Sequence, residues 1–187
     1  MPNIIMADKA AGEWTTEQIA LKQGPSGNIT LEGTSYPAYA IYRLPAVTQV
    51  HFVNATGIPE RGVSYCDDVQ RIIAQKATNV GQSALANNLS LLAIDILGGG
   101  TISGSLGFGQ NGLLETLIIR STAAKDVNTN SFQGSVSEQK PVHVYVPQVT
   151  ISNYTALNNW ASLVNEGKVI FEELEGSPYE PLDWWED

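Results

Sequence analysis

A glycine-rich stretch at residues 101–121, TISGSLGFGQNGLLETLIIRS, restricts the fold of this chain more than any other segment. Small and apolar side chains alternate before Asn111 and Gly112, and an apolar run follows them, which is the period of two typical of strands. An Asn-Gly pair between two such runs indicates a tight hairpin turn, because both residues tolerate positive φ angles. The sequence therefore predicts a long antiparallel β-hairpin with Asn111 and Gly112 at its tip.

Other short segments also have the composition of strands, being rich in β-branched and aromatic residues and bounded by proline, glycine or asparagine. They are residues 28–33, 39–44, 47–54, 89–97, 141–146, 148–152 and 168–174. No internal repeat is recognised in the sequence. We therefore expect seven to nine strands in one body.

Two segments have helical character instead. Residues 67–77 begin with acids and place Val69, Ile72 and Ile73 on one helical stripe. Residues 154–166 carry Leu157 and Trp160 on one face and precede Gly167, a common helix terminator.

The predicted fold is mainly β, an antiparallel β-sandwich or barrel-like body with two peripheral α-helices. We expect one domain over residues 1–174. Residues 175–187, EGSPYEPLDWWED, contain two prolines and adjacent tryptophans among acids. They are predicted to form an extended acidic, aromatic C-terminal arm.

The charge distribution excludes several classes of function. The net charge is −9, and residues 166–187 hold eight acids and one base, so the remainder is nearly neutral. A chain without a basic patch is not expected to bind nucleic acid sequence-specifically. No run of 18 apolar residues or basic, apolar leader is present, so we expect neither membrane insertion nor secretion by a signal peptide.

The residues that usually carry chemistry are few. His51 and His143 are the only histidines and Cys66 is the only cysteine, and none has the spacing of a metal site or a nucleophilic pair. Residues 107–112 formally match GxGxxG, but a strand-like run follows where a dinucleotide site needs a helix. The sequence predicts no catalytic residues, no metal and no cofactor.

Two sets of residues are candidates for protein contacts. Small residues in alternate strand positions let another backbone approach closely, within a subunit or between subunits. Aromatic and apolar side chains of the arm resemble interface anchors, although folding back on the same chain is an equal alternative. The interface candidates are Ser103, Ser105, Gly107, Gly109, Tyr179, Leu182, Trp184 and Trp185.

These features favour a non-enzymatic structural subunit of a homo-oligomeric assembly, most naturally a virus or phage particle. A capsid or decoration role and a tail-tube role are both consistent with them, with assembly in the host cytoplasm. The expected partners are copies of the chain itself and other assembly subunits. The alternative functions are a β-sandwich module that binds glycans or a host protein, and an enzyme whose acids converge only in the folded chain.

Overall fold

The protein folds as a β-solenoid of about four turns, in which the strands of successive turns lie parallel to one another. The computed structural model describes residues 4–6, 27–102, 105–137 and 139–186. The largest sheet has eight strands, all parallel to their neighbours. The predicted antiparallel sandwich or barrel is therefore wrong, although the expectation of a mainly β chain is confirmed.

The strands are short, as expected where each turn of the chain changes direction several times. In chain order they are β1 Ile4–Met6, β2 Asn28–Leu31, β3 Ile41–Tyr42, β4 Gln49–Phe52, β5 Gly57–Ile58, β6 Val63–Ser64, β7 Arg71–Ala74, β8 Asn79–Val80, β9 Ala93–Ile96, β10 Thr116–Ile119, β11 Val142–Val146 and β12 Val169–Glu173. The large sheet has the order β1-β2-β4-β7-β9-β10-β11-β12. Two smaller parallel pairs, β3 with β6 and β5 with β8, form the other faces of the first turns.

The chain contains a repeat that the sequence analysis missed. Gln49 pairs with Arg71, Arg71 with Ala93, and Ala93 with Thr116, so successive turns are 22 or 23 residues apart. The next two steps, from Thr116 to His143 and from Val142 to Val169, lengthen to 27 residues. Residue types vary so widely at equivalent positions that the period appears only as a recurrence of buried positions.

The core consists of columns of apolar side chains that repeat this period. Along one column, Val50, Ile72, Ile94, Leu117 and Val144 are each fully buried. A second column on another face contains Ile41, Val63, Leu85, Phe108 and Phe132. Each side chain packs on the equivalent side chain of the next turn, so the burial of every turn depends on its neighbours.

A polar ladder runs through the same interior. The backbone N–H of Cys66 donates to Asn88 Oδ1 at 3.0 Å, that of Asn88 to Asn111 Oδ1 at 2.8 Å, and that of Asn111 to Ser135 Oγ at 2.8 Å. The Nδ2 groups of Asn88 and Asn111 donate to nearby main-chain carbonyls, including that of Leu85. The ladder satisfies backbone groups that the corners of the solenoid would otherwise leave buried without partners.

The predicted hairpin at residues 101–121 is wrong, because Asn111 belongs to the buried polar ladder and not to an exposed turn. Asn111 is fully buried as a rung of the ladder, and the positive φ angle belongs to Gln110, at 58°. Among the described residues of the predicted hairpin, only Thr116–Ile119 form a strand, and it pairs in parallel with β9 and β11. The local sequence does not distinguish a buried asparagine of the ladder from the asparagine of a hairpin turn, because both precede glycine here.

The helix predicted at residues 67–77 is also wrong, because Arg71–Ala74 is strand β7. Ile72 faces the core and Ile73 the opposite side of the sheet, yet both are fully buried. The strand predicted at 148–152 is replaced by a 3₁₀ turn, Gln148–Thr150, and the start of a helix. The strands predicted at 28–33, 47–54, 89–97, 141–146 and 168–174 are confirmed in shortened form.

Two short helices lie in the long connection between β11 and β12. They are α1, Ile151–Thr155, and α2, Asn158–Asn165, where the sequence predicted one helix over residues 154–166. Tyr154 and Trp160 are fully buried, and their rings pack against Phe171 of β12 with centroids 5.7 and 5.2 Å away. The helices thus cover the last turn of the core.

Candidate binding surfaces

A group of exposed and half-buried aromatic and cationic side chains lies around β3 and β6. We call it the tyrosine–arginine surface, and it consists of Tyr39, Tyr42, Arg43, Arg61 and Tyr65. Two adjacent turns build it: Tyr39 N–H donates to the carbonyl of Glu60 at 3.2 Å, and Arg43 N–H to that of Ser64 at 3.1 Å. Residues 39 and 61, and likewise residues 43 and 65, are therefore neighbours in space.

The rings and guanidinium groups of this surface are packed against one another. The rings of Tyr39 and Tyr42 meet edge to face at 5.2 Å, and those of Tyr42 and Tyr65 at 5.6 Å. The Arg43 guanidinium carbon is 5.2 and 5.5 Å from the ring centroids of Tyr42 and Tyr65, and that of Arg61 is 5.5 Å from the centroid of Tyr39. Such cation–π stacking fixes long side chains before any partner arrives.

Four of these five residues occupy strained backbone positions. Tyr39, Arg43, Arg61 and Tyr65 have φ angles between 49° and 61°, the left-handed region that bulky residues avoid. They bracket β3 and β6, and the next two turns repeat the pattern at Ser83 with Asn87 and at Leu106 with Gln110. The corner therefore requires the left-handed conformation but does not require tyrosine or arginine.

The surface presents both ring area and charge to solvent. Tyr39 and Tyr65 are each 38% exposed. Within the described residues no carboxylate lies at salt-bridge distance from Arg43, and Arg61 has only Glu60, 3.9 Å away. A shallow cavity of about 350 Å³ adjoins it, lined by Arg43, Leu44, Pro45, Tyr65, Asp67 and Asp68.

The second candidate surface is the outer face of the large sheet, where the C-terminal arm lies. Paired residues of successive strands form a row across this face: His51, Ile73, Asp95, Ile118, Tyr145 and Glu172. The arm follows this row backwards. Its Tyr179 ring packs on Tyr145 at 4.7 Å, and its Trp185 ring packs on His51 at 4.4 Å.

Asp95 is the centre of this contact. Its side chain is completely buried and forms a salt bridge with Arg120 Nη2 at 2.7 Å. Gln75 Nε2 and Trp184 Nε1 also donate to Asp95 Oδ2, each at 2.8 Å. A buried carboxylate is tolerated when its charge is paired and its oxygens accept several hydrogen bonds, as they do here.

Polar groups of the sheet also hold the main chain of the arm. Arg120 donates to the carbonyls of Tyr179, Glu180 and Pro181, at distances of 2.9 to 3.3 Å. The carbonyls of Leu182 and Trp185 accept hydrogen bonds from Gln75 and Arg71, at 2.8 and 3.2 Å. The arm thus binds its own chain, one of the two alternatives that the sequence left open.

The arm candidates contribute unequally. Tyr179, Trp184 and Trp185 contact the sheet through their side chains, whereas the Leu182 side chain is 64% exposed.

The small-residue candidates lie elsewhere in the fold. Ser103 lies outside the described residues. Gly107 and Gly109 are buried between turns: a Cβ on Gly109 would approach the carbonyl of Gln133 to 2.9 Å. Ser105 accepts from Ser83 N–H at 3.3 Å, so these positions lie in a seam between turns of one chain.

Cys66 and the histidines have structural surroundings. Burial raises the pKa of the Cys66 thiol to about 11, which opposes formation of a nucleophilic thiolate. Burial also lowers the pKa of His51, which lies under Trp185. His143 Nδ1 lies 3.1 Å from Glu172 Oε1 on the sheet surface.

The described residues contain no group of three or more histidine, cysteine or acidic side chains placed to hold a metal ion. In the same part of the chain, no helix has the length and apolarity needed to cross a membrane.

The sequence analysis missed the tyrosine–arginine surface, because only the 22-residue period brings its members together. The sequence matches no model of a known protein family and no curated protein.

Proposed function

We propose that this protein is a non-catalytic recognition module that binds a partner protein through the tyrosine–arginine surface. The observation that carries the proposal is the placement of Tyr39 and Tyr65 at left-handed corner positions. The equivalent corners of the next turn are Ser83 and Asn87, so the scaffold does not need the bulky residues. Aromatic side chains at corners where smaller residues also fit point to a use outside the fold.

The chemistry of the surface indicates the kind of partner. Tyrosine and arginine are enriched at the centres of protein interfaces, where rings supply rigid contact area and guanidinium groups supply directed hydrogen bonds. Arg43 stacks on two rings and leaves its N–H edge for a carboxylate of the partner. The expected ligand is therefore a protein segment that combines an acidic residue with apolar contact area.

The experiment uses substitutions taken from the neighbouring turn. The variant Tyr39→Ser with Tyr65→Asn gives the surface the residues found at 83 and 87, so it is expected to fold as the unaltered chain does. Wild-type protein is used to select binders from a displayed library of random peptides. Selected peptides should be enriched in aspartate and glutamate, and the double variant should bind them at least about 100-fold more weakly.

Leu113→Ser is the matched control, because Leu113 is 49% exposed but is not part of the tyrosine–arginine surface. It should bind the selected peptides as the wild type does. Equal binding by the double variant, or binding of the wild type to neutral glycans on an array but to no peptide, would contradict the proposal.

The virus or phage setting expected from the sequence stays a prediction, which electron microscopy of the concentrated protein tests.

A further inference from the structure

The contacts of the C-terminal arm with the body are confined to one short segment of the arm and one face of the large sheet. The anchors described above join residues 179–185 either to the row of side chains on the outer face of the sheet or to Arg71, Gln75 and Arg120 beside that row. The recognition is specific, because Trp184 Nε1 donates into the buried Asp95 carboxylate and Trp185 covers His51. The sheet face is thus a binding site for this particular peptide segment.

The connector between β12 and the arm can pivot at Gly176 and Ser177. Gly176 has a φ angle of 77°, and a Cβ at this position would meet no atom within 4 Å. Glu175 is still bonded to the body, because its carboxylate accepts from Gln148 N–H at 2.8 Å. The Ser177 hydroxyl donates to the carbonyl of Leu174 and the Gly176 N–H to the carboxylate of Glu180, so the bonds described for these two residues lie within the connector. A change of course at Gly176 and Ser177 therefore breaks none of the bonds described between the body and the residues before them.

The arm lies on the surface of the sheet with open clefts on either side of it. A cleft of about 580 Å³ is lined by residues of both surfaces such as Arg71, Thr116, Tyr179 and Trp184. A second cleft of about 500 Å³ lies between Gly176 and the side chains of Tyr145 and Phe171. Both clefts are open to solvent, so the arm is attached to the sheet through its anchoring side chains rather than enclosed by the body.

We propose that the outer face of the sheet also accepts the arm of a second copy, so that two chains associate by exchanging arms. The second arm makes the same contacts as the first, because the two sequences are identical, and reciprocal exchange gives a closed two-fold dimer. The chain's own arm competes at an effective concentration on the order of millimolar, so exchange is favoured at high protein concentration. This inference is independent of the tyrosine–arginine surface.

The test is complementation between two full-length variants. One carries Trp184→Ala, which weakens the arm and leaves the face intact. The other carries Arg71→Ala with Gln75→Ala, which weakens the face and leaves the arm intact. A mixed dimer contains one intact arm on one intact face, whereas a dimer of either variant alone contains none.

Sedimentation of the mixture should show a heterodimer that forms at least about tenfold more tightly than either variant associates with itself. Asp183→Asn is the control for a change in the arm, because that side chain is exposed and is not among the anchors described above, and it should associate as the wild type does. Trp184→Phe, which keeps an aromatic ring but removes the indole N–H and the five-membered ring that carries it, replaces Trp184→Ala if that variant is unfolded by circular dichroism. A mixture of folded variants that stays monomeric would overturn the proposal and leave the arm as a strap on its own chain.

Discussion

At the scale of single residues, several side chains are explained only by their place in a turn. Gln110 is exposed, yet its φ angle of 58° makes it part of a corner that recurs at Arg43, Tyr65 and Asn87. The Cys66 thiol is buried against the carbonyls of Ile41 and Ser64, one of which belongs to the preceding turn. The backbone geometry of the turns, rather than local sequence preference, explains the conformation of Gln110 and the burial of Cys66.

A β-branched side chain at a left-handed corner should be destabilising. We expect Gln110→Val to lower the free energy of unfolding by about 2 kcal/mol, because branching at Cβ adds to the clash with the backbone at positive φ. Urea denaturation followed by circular dichroism measures the change. Gln82→Val, at an exposed position outside the left-handed set, should change stability by less than about 0.5 kcal/mol; equal losses in both variants would argue against corner strain.

The buried thiol predicts a loss of stability at alkaline pH. The Cys66 pKa is raised from 9.0 to about 11 in the folded chain, so above pH 9 the unfolded chain releases a proton that the folded chain retains. The wild type should therefore lose about 2 kcal/mol more than Cys66→Ala between pH 8 and about pH 10.5, in the presence of a reductant. Tyrosine ionisation, including that of Tyr154, is common to both chains and cancels in the comparison. Parallel pH profiles for the two chains would show that the thiol does not contribute.

At the scale of elements, the strands and the polar ladder have different origins. Short runs such as Gln49–Phe52 and Ala93–Ile96 have strand composition that is visible in the sequence. The ladder of Asn88 and Asn111 is not visible in this way, because an asparagine near glycine resembles an ordinary turn residue. The same ambiguity produced the hairpin prediction.

Removing one rung should be more damaging than removing an exposed asparagine. In Asn88→Ala, the N–H of Cys66 and the carbonyl of Val63 lose their buried hydrogen-bond partner. We expect a loss of about 3 kcal/mol, since each orphaned buried group costs about 1 to 3 kcal/mol. Chemical denaturation measures it against Asn153→Ala, an exposed position expected to change stability by less than about 0.5 kcal/mol. A loss as small as that of the control would mean that water replaces the rung.

At the scale of the whole molecule, each turn is stabilised mainly by its two neighbours. The register that pairs Arg71 with Ala93 makes residues 71–92 one complete turn. The exposed tyrosine–arginine surface lies on earlier turns, and the helices α1 and α2 cover the last one. Such an architecture tolerates a change in the number of turns better than a change in register.

Deleting residues 71–92 should therefore give a shorter but folded chain. The deletion brings β4 against β9 in the native register and places Cys66 below Asn111 in the ladder. The slope of unfolding free energy against denaturant should fall by about a tenth, in proportion to the surface lost. Deleting only residues 71–81 places a corner within the sheet and should abolish cooperative unfolding; a folded product of that deletion would contradict the repeat.

The sequence by itself determined the local character of this protein: short β-rich segments, a helical stretch near residues 154–166, and an acidic aromatic arm. These follow from side-chain composition, which acts over a few residues. Only the tertiary structure decided that the strands are parallel, that Ile73 and Asp95 are buried on the outer face, and that Tyr39 and Tyr65 share a surface. The physical reason is that the partners lie one turn apart in the chain or, for the arm, about 90 residues away from Asp95, and no local pattern specifies which distant segment a strand will meet.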